Sequence, residues 1–169
     1  MKKKRSIRIE GDIAYVPLTQ GYEAVIDAAD VPLVEGYNWR AYIRKWAVYA
    51  VREEPAGDSK YRNVRMHRQI MGSPDGMELD HKDHNGLNNR RENLRVCTVN
   101  QNRRNQRLSS RSSTGLKGVT WNKLKGRYQA GIKVNGKRKH LGLFDQKEDA
   151  YAAYCEASQK YHGEFGCAS

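Results

Sequence analysis

Apolar and polar residues alternate in the last third of the chain in the way that a small antiparallel sheet requires. Along residues 127–134 nearly every second residue is apolar, so a strand here has one apolar face and one polar face. Asn135-Gly136 follows and is typical of a two-residue hairpin turn. Residues 138–144 predict the second strand of the hairpin, and residues 116–122 predict a third strand.

One helix is expected to cover this sheet. Leu141 and Leu143 should point together towards its apolar side, while Arg138 and His140 point the other way. Residues 145–148 have the pattern of an N-terminal helix cap. The helix that follows carries an apolar stripe at helical spacing, formed by Ala150, Ala153, Tyr154, Ala157 and Tyr161.

The first third of the chain consists of short apolar and aromatic runs separated by turn-forming residues, which favours a β-rich region. A loop is predicted at residues 55–59, and a short helix at residues 67–71 that ends before Gly72. The predicted strands are residues 13–18, 22–27, 37–44, 46–52 and 61–66.

The middle of the chain predicts a strand, a long turn, a second strand and a helix. A short apolar lead-in ends at the adjacent Asp80 and His81, and residues 93–97 form the second short strand. Thr98 with Gln101 three residues later is the capping pattern that opens a helix.

The fold class that follows is α+β, in four segments. A small β-rich region, residues 1–74, leads into the strand–turn–strand–helix unit at residues 75–107. A basic, Ser-rich linker is predicted at residues 108–114, and a three-stranded antiparallel sheet packed on one helix at residues 115–169.

The charge balance points to a polyanionic partner. The chain of 169 residues has 31 Lys and Arg against 19 Asp and Glu, a formal net charge of +12. Cations that neutralise phosphates release condensed counterions, which dominates affinity for nucleic acid. These cations are interspersed with aromatic residues and amides, so folded segments rather than a solvated tail are expected to present them.

Other classes of protein are disfavoured. The cysteines are Cys97, Cys155 and Cys167, and they form neither a CxxC pair nor an even framework, so a structural zinc or a disulfide scaffold is not expected. No long apolar segment follows the basic start of the chain, so neither a signal peptide nor a membrane span is expected. A cytoplasmic location beside nucleic acid fits these features.

The middle unit contains a set of residues suited to phosphodiester hydrolysis. Hard cations prefer oxygen ligands, and the Asp80 carboxylate and the Asn102 amide can supply one each. A neutral imidazole at His81 can take the proton of the attacking water. Because strand alternation would put Asp80 and His81 on opposite faces, this scheme needs the chain to leave regular strand geometry there.

These residues carry a family resemblance. Asp80-His81, Asn93 within Glu-Asn-Leu-Arg, and Asn102 resemble the motif of HNH homing endonucleases of phage and bacterial introns, which have a ββα-metal fold. The resemblance implies that His81 is the general base and that Asn93 braces the hairpin and orients the histidine. It also implies that Asp80 and Asn102 hold one divalent ion, Mg²⁺ or Mn²⁺.

Two further histidines have open roles. Met66-His67-Arg68 matches a His-Arg pair common in these endonucleases, which places His67 among the candidate catalytic residues. His67 either makes a structural hydrogen bond or contacts a phosphate. His84 stands in the turn, where family members often have Asp-Gly-Asn, and it is a second metal ligand, a phosphate contact or an ordinary turn residue.

The C-terminal segment carries a second resemblance. Gly118-Val-Thr-Trp121, Leu141-Gly-Leu-Phe-Asp145 and His162-Gly-Glu-Phe165 are similar to the Apetala-type domain of plant ethylene-response factors, which also occurs at the C-terminus of HNH homing endonucleases. Plant members usually have arginines at the positions of Thr120 and Asn122, so the plant target sequence does not carry over. Trp121 either packs in the core or contacts DNA.

The predicted DNA contacts are cations and polar side chains of both modules. A small sheet can enter the major groove and read base edges. In and around the HNH unit the predicted contacts are Arg68, Arg90, Arg91, Arg95, Arg103 and Arg104, and in the C-terminal module they are Thr120, Asn122, Lys125, Arg127, Gln129, Lys133 and Arg138.

The function that these features predict is site-specific, metal-dependent cleavage or nicking of double-stranded DNA by a monomer or homodimer, in a bacterial or phage-infected cell. No membrane and no small-molecule substrate are expected. A non-catalytic DNA-binding regulator is the alternative, and the intact set of Asp80, His81, Asn93 and Asn102 argues against it. An RNA-directed protein is a third possibility, which a groove-reading sheet fits less well.

Overall fold

Short helices and several small antiparallel sheets are mixed along the chain, in agreement with the predicted α+β class. The computed structural model describes residues 5–58, 60–72, 75–105, 108 and 112–166. Residues 109–111 of the predicted linker at residues 108–114 lie outside this description. The chain divides into two compact units, Met1–Val99 and Asn100–Ser169.

Two three-stranded antiparallel sheets and two short helices form most of the first unit. The strands of the first sheet are β1 (Arg8–Glu10), β2 (Ile13–Pro17) and β3 (Glu23–Asp27), and those of the second are β4 (Arg40–Arg44), β5 (Ala47–Pro55) and β6 (Tyr61–Arg65). Helix α1 (Val31–Val34) lies between the two sheets in the chain, and α2 (Met66–Met71) directly follows β6.

One apolar core joins these elements. Alternation along β2 and β3 buries Val16 and Ile26, and Met66 of α2 is buried in the same cluster. Trp39 packs there as well, and its indole Nε1 donates a hydrogen bond to the Val34 carbonyl at 2.9 Å. A single core of this kind makes the β-rich region a rigid base for the segment that follows it.

A β-hairpin with a long loop completes the first unit. Strand β7 (Glu78–His81) pairs antiparallel with β8 (Leu94–Cys97), and Asp80 lies opposite Arg95. Helix α3 (Val99–Asn105) follows β8 in the chain, so the order strand, loop, strand, helix is as predicted.

The second unit contains a three-stranded antiparallel sheet and a longer helix. Its strands are β9 (Val119–Asn122), β10 (Arg127–Val134) and β11 (Lys137–Phe144), with β10 in the centre, and helix α4 is Lys147–His162. Asn135 and Gly136 form the turn between β10 and β11, with φ values of 49° and 82°. Positive φ at both positions is what a type I′ hairpin turn requires.

Two details of this unit differ from the predictions. A β-bulge interrupts the pairing of β10 and β11 between Ala130 and Gly131. Leu141 therefore packs in the core, whereas Leu143 lies opposite Gln129, and the prediction that the two leucines share a face is wrong. The predicted cap at residues 145–148 is also wrong, because Gln146 occupies the N-cap position and makes no side-chain capping hydrogen bond.

Within the described parts of the chain, every helix is too short or too polar to cross a bilayer.

Candidate active site

His81 is buried at the end of β7, and its tautomer can be deduced from its neighbours. Its Nε2 lies 3.3 Å from Oδ1 of Asn89. The Asn89 amide nitrogen donates to the carbonyl of Leu87 at 3.0 Å, which fixes the orientation of the amide and turns its oxygen towards His81. Since an amide oxygen only accepts hydrogen bonds, His81 Nε2 must carry the proton, and Nδ1 is the basic nitrogen of the neutral ring.

Aromatic rings enclose this imidazole. The rings of His67 and His81 are perpendicular, with centroids 4.8 Å apart, and the Tyr49 ring lies 6.0 Å from His81. His67 is itself buried, with 3% of its surface exposed. The packing holds the His81 ring in one orientation, because a rotation would displace two neighbouring rings.

Both histidines are uncharged at neutral pH. Burial lowers the pKa of His81, although the Asn89 hydrogen bond and the nearby Asp83 and Asp80 carboxylates work in the opposite direction. Burial is the main cause that lowers the pKa of His67 to about 3, and the electrostatic effects of the nearby His81, Arg65 and Arg68 act in the same direction. A neutral His81 has the form that a general base needs, and a neutral His67 favours the structural alternative over a charged phosphate contact.

Asn93 locks the loop between β7 and β8. Its Nδ2 donates to Asp83 Oδ1 at 2.9 Å and to the Asn88 carbonyl at 2.8 Å, and its Oδ1 accepts from the Asp83 N–H at 3.1 Å. Asp83 also accepts from the Asn85 N–H and from the Asn88 side chain, each at 2.8 Å. Asn93 therefore braces the hairpin, while the hydrogen bond to the histidine described above comes from Asn89.

Asp80 lies on the other face of the hairpin from His81. Its Oδ2 accepts from Arg95 Nη2 at 2.8 Å and from Arg95 Nε at 3.1 Å, and both side chains are 9% exposed. Asp80 and His81 occupy consecutive paired positions of β7, opposite Arg95 and Leu94. The expectation that the chain leaves strand geometry at this dipeptide is wrong, because the cross-strand ion pair maintains the register there.

The chemistry of Asp80 fits a divalent metal ligand. Its carboxylate is the kind of oxygen ligand that a hard divalent cation prefers. In this structure the same carboxylate is paired with the Arg95 guanidinium. Among the described residues, no group of three or more His, Cys, Asp or Glu side chains is arranged to hold a metal. The predicted pair of ligands is of another kind, one carboxylate and one amide oxygen. Asn102, which would supply the amide, lies in α3 and is half-buried.

Backbone contacts hold the loop between β7 and β8, the catalytic loop, against the β-rich region. The Val25 N–H donates to the Leu87 carbonyl at 2.8 Å, and the Asn89 N–H donates to the Val25 carbonyl at 2.7 Å. Gly86 lies against β5 so closely that a Cβ atom would stand 2.5 Å from the Val48 carbonyl oxygen. The first sheet and β5 therefore position Asn89 and, through it, the His81 imidazole.

Two arginines that the sequence predicted as DNA contacts also hold this loop in place through ion pairs. Arg90 Nε pairs with Asp27 at 2.9 Å, and the Arg91 guanidinium pairs with the buried Asp30 at 2.7 Å. The Arg91 N–H also donates to Asp27 at 2.8 Å. Burial works to raise the pKa of Asp27, but the hydrogen bonds from Arg91 and Arg90 outweigh it and lower the pKa. This contribution to stability is complete above about pH 4 and is lost as the pH falls through the depressed pKa.

The other predicted DNA contacts are distributed over both units. Arg95 is ion-paired with Asp80, whereas Arg68 and Arg103 are exposed. Within the C-terminal sheet, cross-strand pairing puts Thr120, Asn122, Arg127, Gln129, Lys133 and Arg138 on the same face, with Lys125 exposed in the turn between β9 and β10.

Some of these side chains have partners within the protein. Arg127 forms an ion pair with Asp145, in which Nη2 donates to Oδ2 at 2.9 Å and Nε lies 2.7 Å from Oδ1. Asn122 donates to Gln129 at 3.1 Å. Trp121 lies opposite Tyr128, and the centroids of the two rings are 4.8 Å apart. Because 45% of the surface of Trp121 is exposed, its ring packs on one side and contacts solvent on the other.

Comparison with known proteins identifies the same part of the chain. A family model described as HNH endonuclease matches residues 62–104. An uncharacterized HNH endonuclease of Acanthamoeba polyphaga mimivirus is 33% identical over 152 residues, which cover 86% of this chain and 74% of the relative. Protein 3.8 of Escherichia phage T7 is 28% identical over 110 residues, 62% of this chain and 90% of the relative. No solved structure matches.

Proposed function

This chain belongs to the HNH endonuclease family, and on that premise we propose that it is a site-specific, homing-type nuclease that hydrolyses phosphodiester bonds of duplex DNA with a divalent metal ion. The observation that carries the proposal is the buried His81, whose Nε2 is engaged by Asn89 and whose pKa is lowered by burial. An imidazole held in one tautomer and one orientation is prepared to accept a proton from a water molecule at its other nitrogen.

In this mechanism each protein group has a defined task. His81 Nδ1 takes the proton of the attacking water. Its Nε2–H remains hydrogen-bonded to the side-chain amide oxygen of Asn89, which stabilises the imidazolium that forms. Asn93 and Asp83 hold the loop so that Asn89 stays in place. His67 keeps the ring orientation by packing against it, which makes it a positioning residue in this scheme.

Asp80 and Asn102 are the residues that would hold the metal ion, Mg²⁺ or Mn²⁺. When bound, such an ion neutralises charge on the scissile phosphate and on the departing oxygen. Arg95 pairs with the Asp80 carboxylate from the neighbouring strand and offsets the cost of burying its charge. We assign Arg95 this supporting role in place of the DNA contact that the sequence predicted.

The C-terminal unit is proposed to be the ethylene-response-factor-like module that supplies sequence preference. The polar face of its sheet brings together the side chains predicted to read bases and to bind phosphates, and dividing the contacts in this way suits a long target. A single catalytic histidine per chain favours nicking by a monomer, whereas a homodimer would cut both strands.

The direct test is conversion of supercoiled plasmid that contains the protein's own flanking locus. We expect open-circular or linear product with Mg²⁺ or Mn²⁺ and none with a chelator, and we expect structured RNA to stay intact. Binding without cleavage with every metal would contradict the nuclease proposal and would support the DNA-binding regulator instead.

Asn89 gives a second test, because it is a positioning residue that does not touch the substrate in this scheme. Asn89→Ala is expected to lower the cleavage rate about 10–100-fold, the usual effect of losing such a supporting contact. The imidazole ¹⁵N resonances of His81 should shift at the same time from one tautomer to a mixture. Asn85→Ala, in the same loop, is the control, and unchanged ¹⁵N resonances in Asn89→Ala would contradict the assignment.

A further inference from the structure

A basic cavity of about 400 Å³ opens in the second unit, beside α3 and the far half of β10. Strand β9 pairs with β10 only as far as Ala130, and the Gly131 N–H donates to the Gly118 carbonyl at 2.9 Å. Beyond that point, within the described residues, β10 has a paired strand on one side only, that of β11. The cavity lies along this open edge.

Positive charge dominates the walls of the cavity. Arg103 and Arg104 of α3, Lys117 before β9 and Lys133 of β10 all line it, and its described lining residues include no carboxylate. Lys117 Nζ donates to the Arg104 carbonyl at 2.8 Å, so these two basic segments are in direct contact. Four cations around a concave space create a potential that attracts an anion.

The same cations affect the pKa of His162, which also lines the cavity. Burial lowers the pKa of His162, and Arg104 and Lys117 lower it further, against the hydrogen bond to Lys133. Its Nε2 lies 3.0 Å from the Lys133 carbonyl, which only accepts, so Nε2 carries the proton. Its Nδ1 is buried and has no hydrogen-bond partner among the described residues. In the neutral ring this nitrogen only accepts hydrogen bonds, so it can donate to a phosphate only after it has been protonated.

We propose that this cavity is a phosphate-binding site, formed by Arg103, Arg104, Lys117 and Lys133 with His162 as an additional donor once it is protonated. A volume of about 400 Å³ accommodates a phosphate with an attached sugar. The phosphate is a phosphodiester of the DNA substrate or the phosphate of a free nucleotide. The DNA source rests on the proposed function. Of the residues that form the site, only Lys133 also belongs to the sheet face that carries the predicted base contacts.

The experiment follows the imidazole ¹⁵N signals of His162 in the full-length protein without metal. The signals are assigned with His162→Gln. Three probes are titrated separately: inorganic phosphate, deoxyadenosine monophosphate and a duplex of about 20 base pairs. We expect the duplex to shift the His162 signals towards the protonated form. Shifts with the mononucleotide or phosphate but not with the duplex would support the site and identify the free source.

Lys117→Met tests the site by affinity, because Lys117 lines the cavity but is not on the sheet face. It should weaken binding of the effective probe about tenfold and, for duplex DNA, reduce the salt slope by about one. Lys147→Met, an exposed lysine at the start of α4, is the matched control and should leave both unchanged. Arg103→Met is the second cavity variant if Lys117→Met does not fold.

Failure of this proposal is distinguishable from failure of the nuclease proposal. Unchanged His162 signals with all three probes, or equal affinities for Lys117→Met and Lys147→Met, would overturn the phosphate site. Plasmid cleavage by the wild-type protein is scored separately. Loss of cleavage with intact His162 shifts would sink only the nuclease.

Discussion

His81→Ala is expected to abolish strand cleavage while duplex binding persists. The variant removes the proposed general base, and such groups contribute about 10²–10⁴-fold to rate. The space that His81 leaves is lined by His67, Tyr49 and Asn89, whose side chains are unchanged in the variant. We therefore expect the variant to fold. Single-turnover cleavage of an intact duplex substrate, with Mg²⁺ at a saturating concentration, measures the chemical step without interference from product release.

Two controls separate chemistry from folding. His140→Ala alters an exposed histidine on β11 and should leave the rate unchanged. His84→Asn keeps a side chain that tolerates the positive φ of 62° at this turn position, and it should retain most activity if His84 is an ordinary turn residue. Added imidazole should partly restore cleavage by His81→Ala. A rate within threefold of the wild type would remove His81 from the mechanism.

The elements that the sequence predicted well are those with strong local signals. Strand β10 and its Asn135-Gly136 turn follow from alternation and from a dipeptide that accepts positive φ. Strand β1 and helix α1 were not predicted. Strand β1 has only three residues, and all of them are exposed, so it is too short to give a reliable alternating pattern. Helix α1 has only four residues, too few for an amphipathic period.

The candidate site shows the same division between local and distant information. Asp80, His81 and Asn93 stand out because their order and spacing are local properties of the sequence. Asn89 was missed, although the Asn88-Asn89 pair in a long loop was a signal, because its importance depends on full burial against His81 and Val25. Polar residues in loops are usually exposed, and only the tertiary structure reveals that this one is not.

The predicted DNA contacts show why composition alone cannot assign a cation. Arg90 and Arg91 belong to a basic segment of the chain, yet their partners Asp27 and Asp30 precede them by about sixty residues. A charge in the sequence is available for phosphate only if the fold leaves it unpaired. The β-rich region thus has a role that its sequence did not disclose, namely to anchor the catalytic loop.

Arg91→Met is expected to lower the free energy of unfolding of the first unit by about 2–3 kcal/mol, because it leaves the buried Asp30 carboxylate without its guanidinium partner. Arg62→Met removes the exposed ion pair with Glu54 and should lower the free energy of unfolding far less, because water screens exposed charges. Urea unfolding followed by the indole N–H signal of Trp39, which lies in the same core, measures both. In the double variant Arg91→Met/Asp30→Asn, part of the lost stability should return, since the uncompensated charge is gone. Equal stabilities of Arg91→Met and Arg62→Met would contradict the anchoring role of the Arg91–Asp30 pair and leave the loop held by its other contacts, those to Val25, Asp27 and β5.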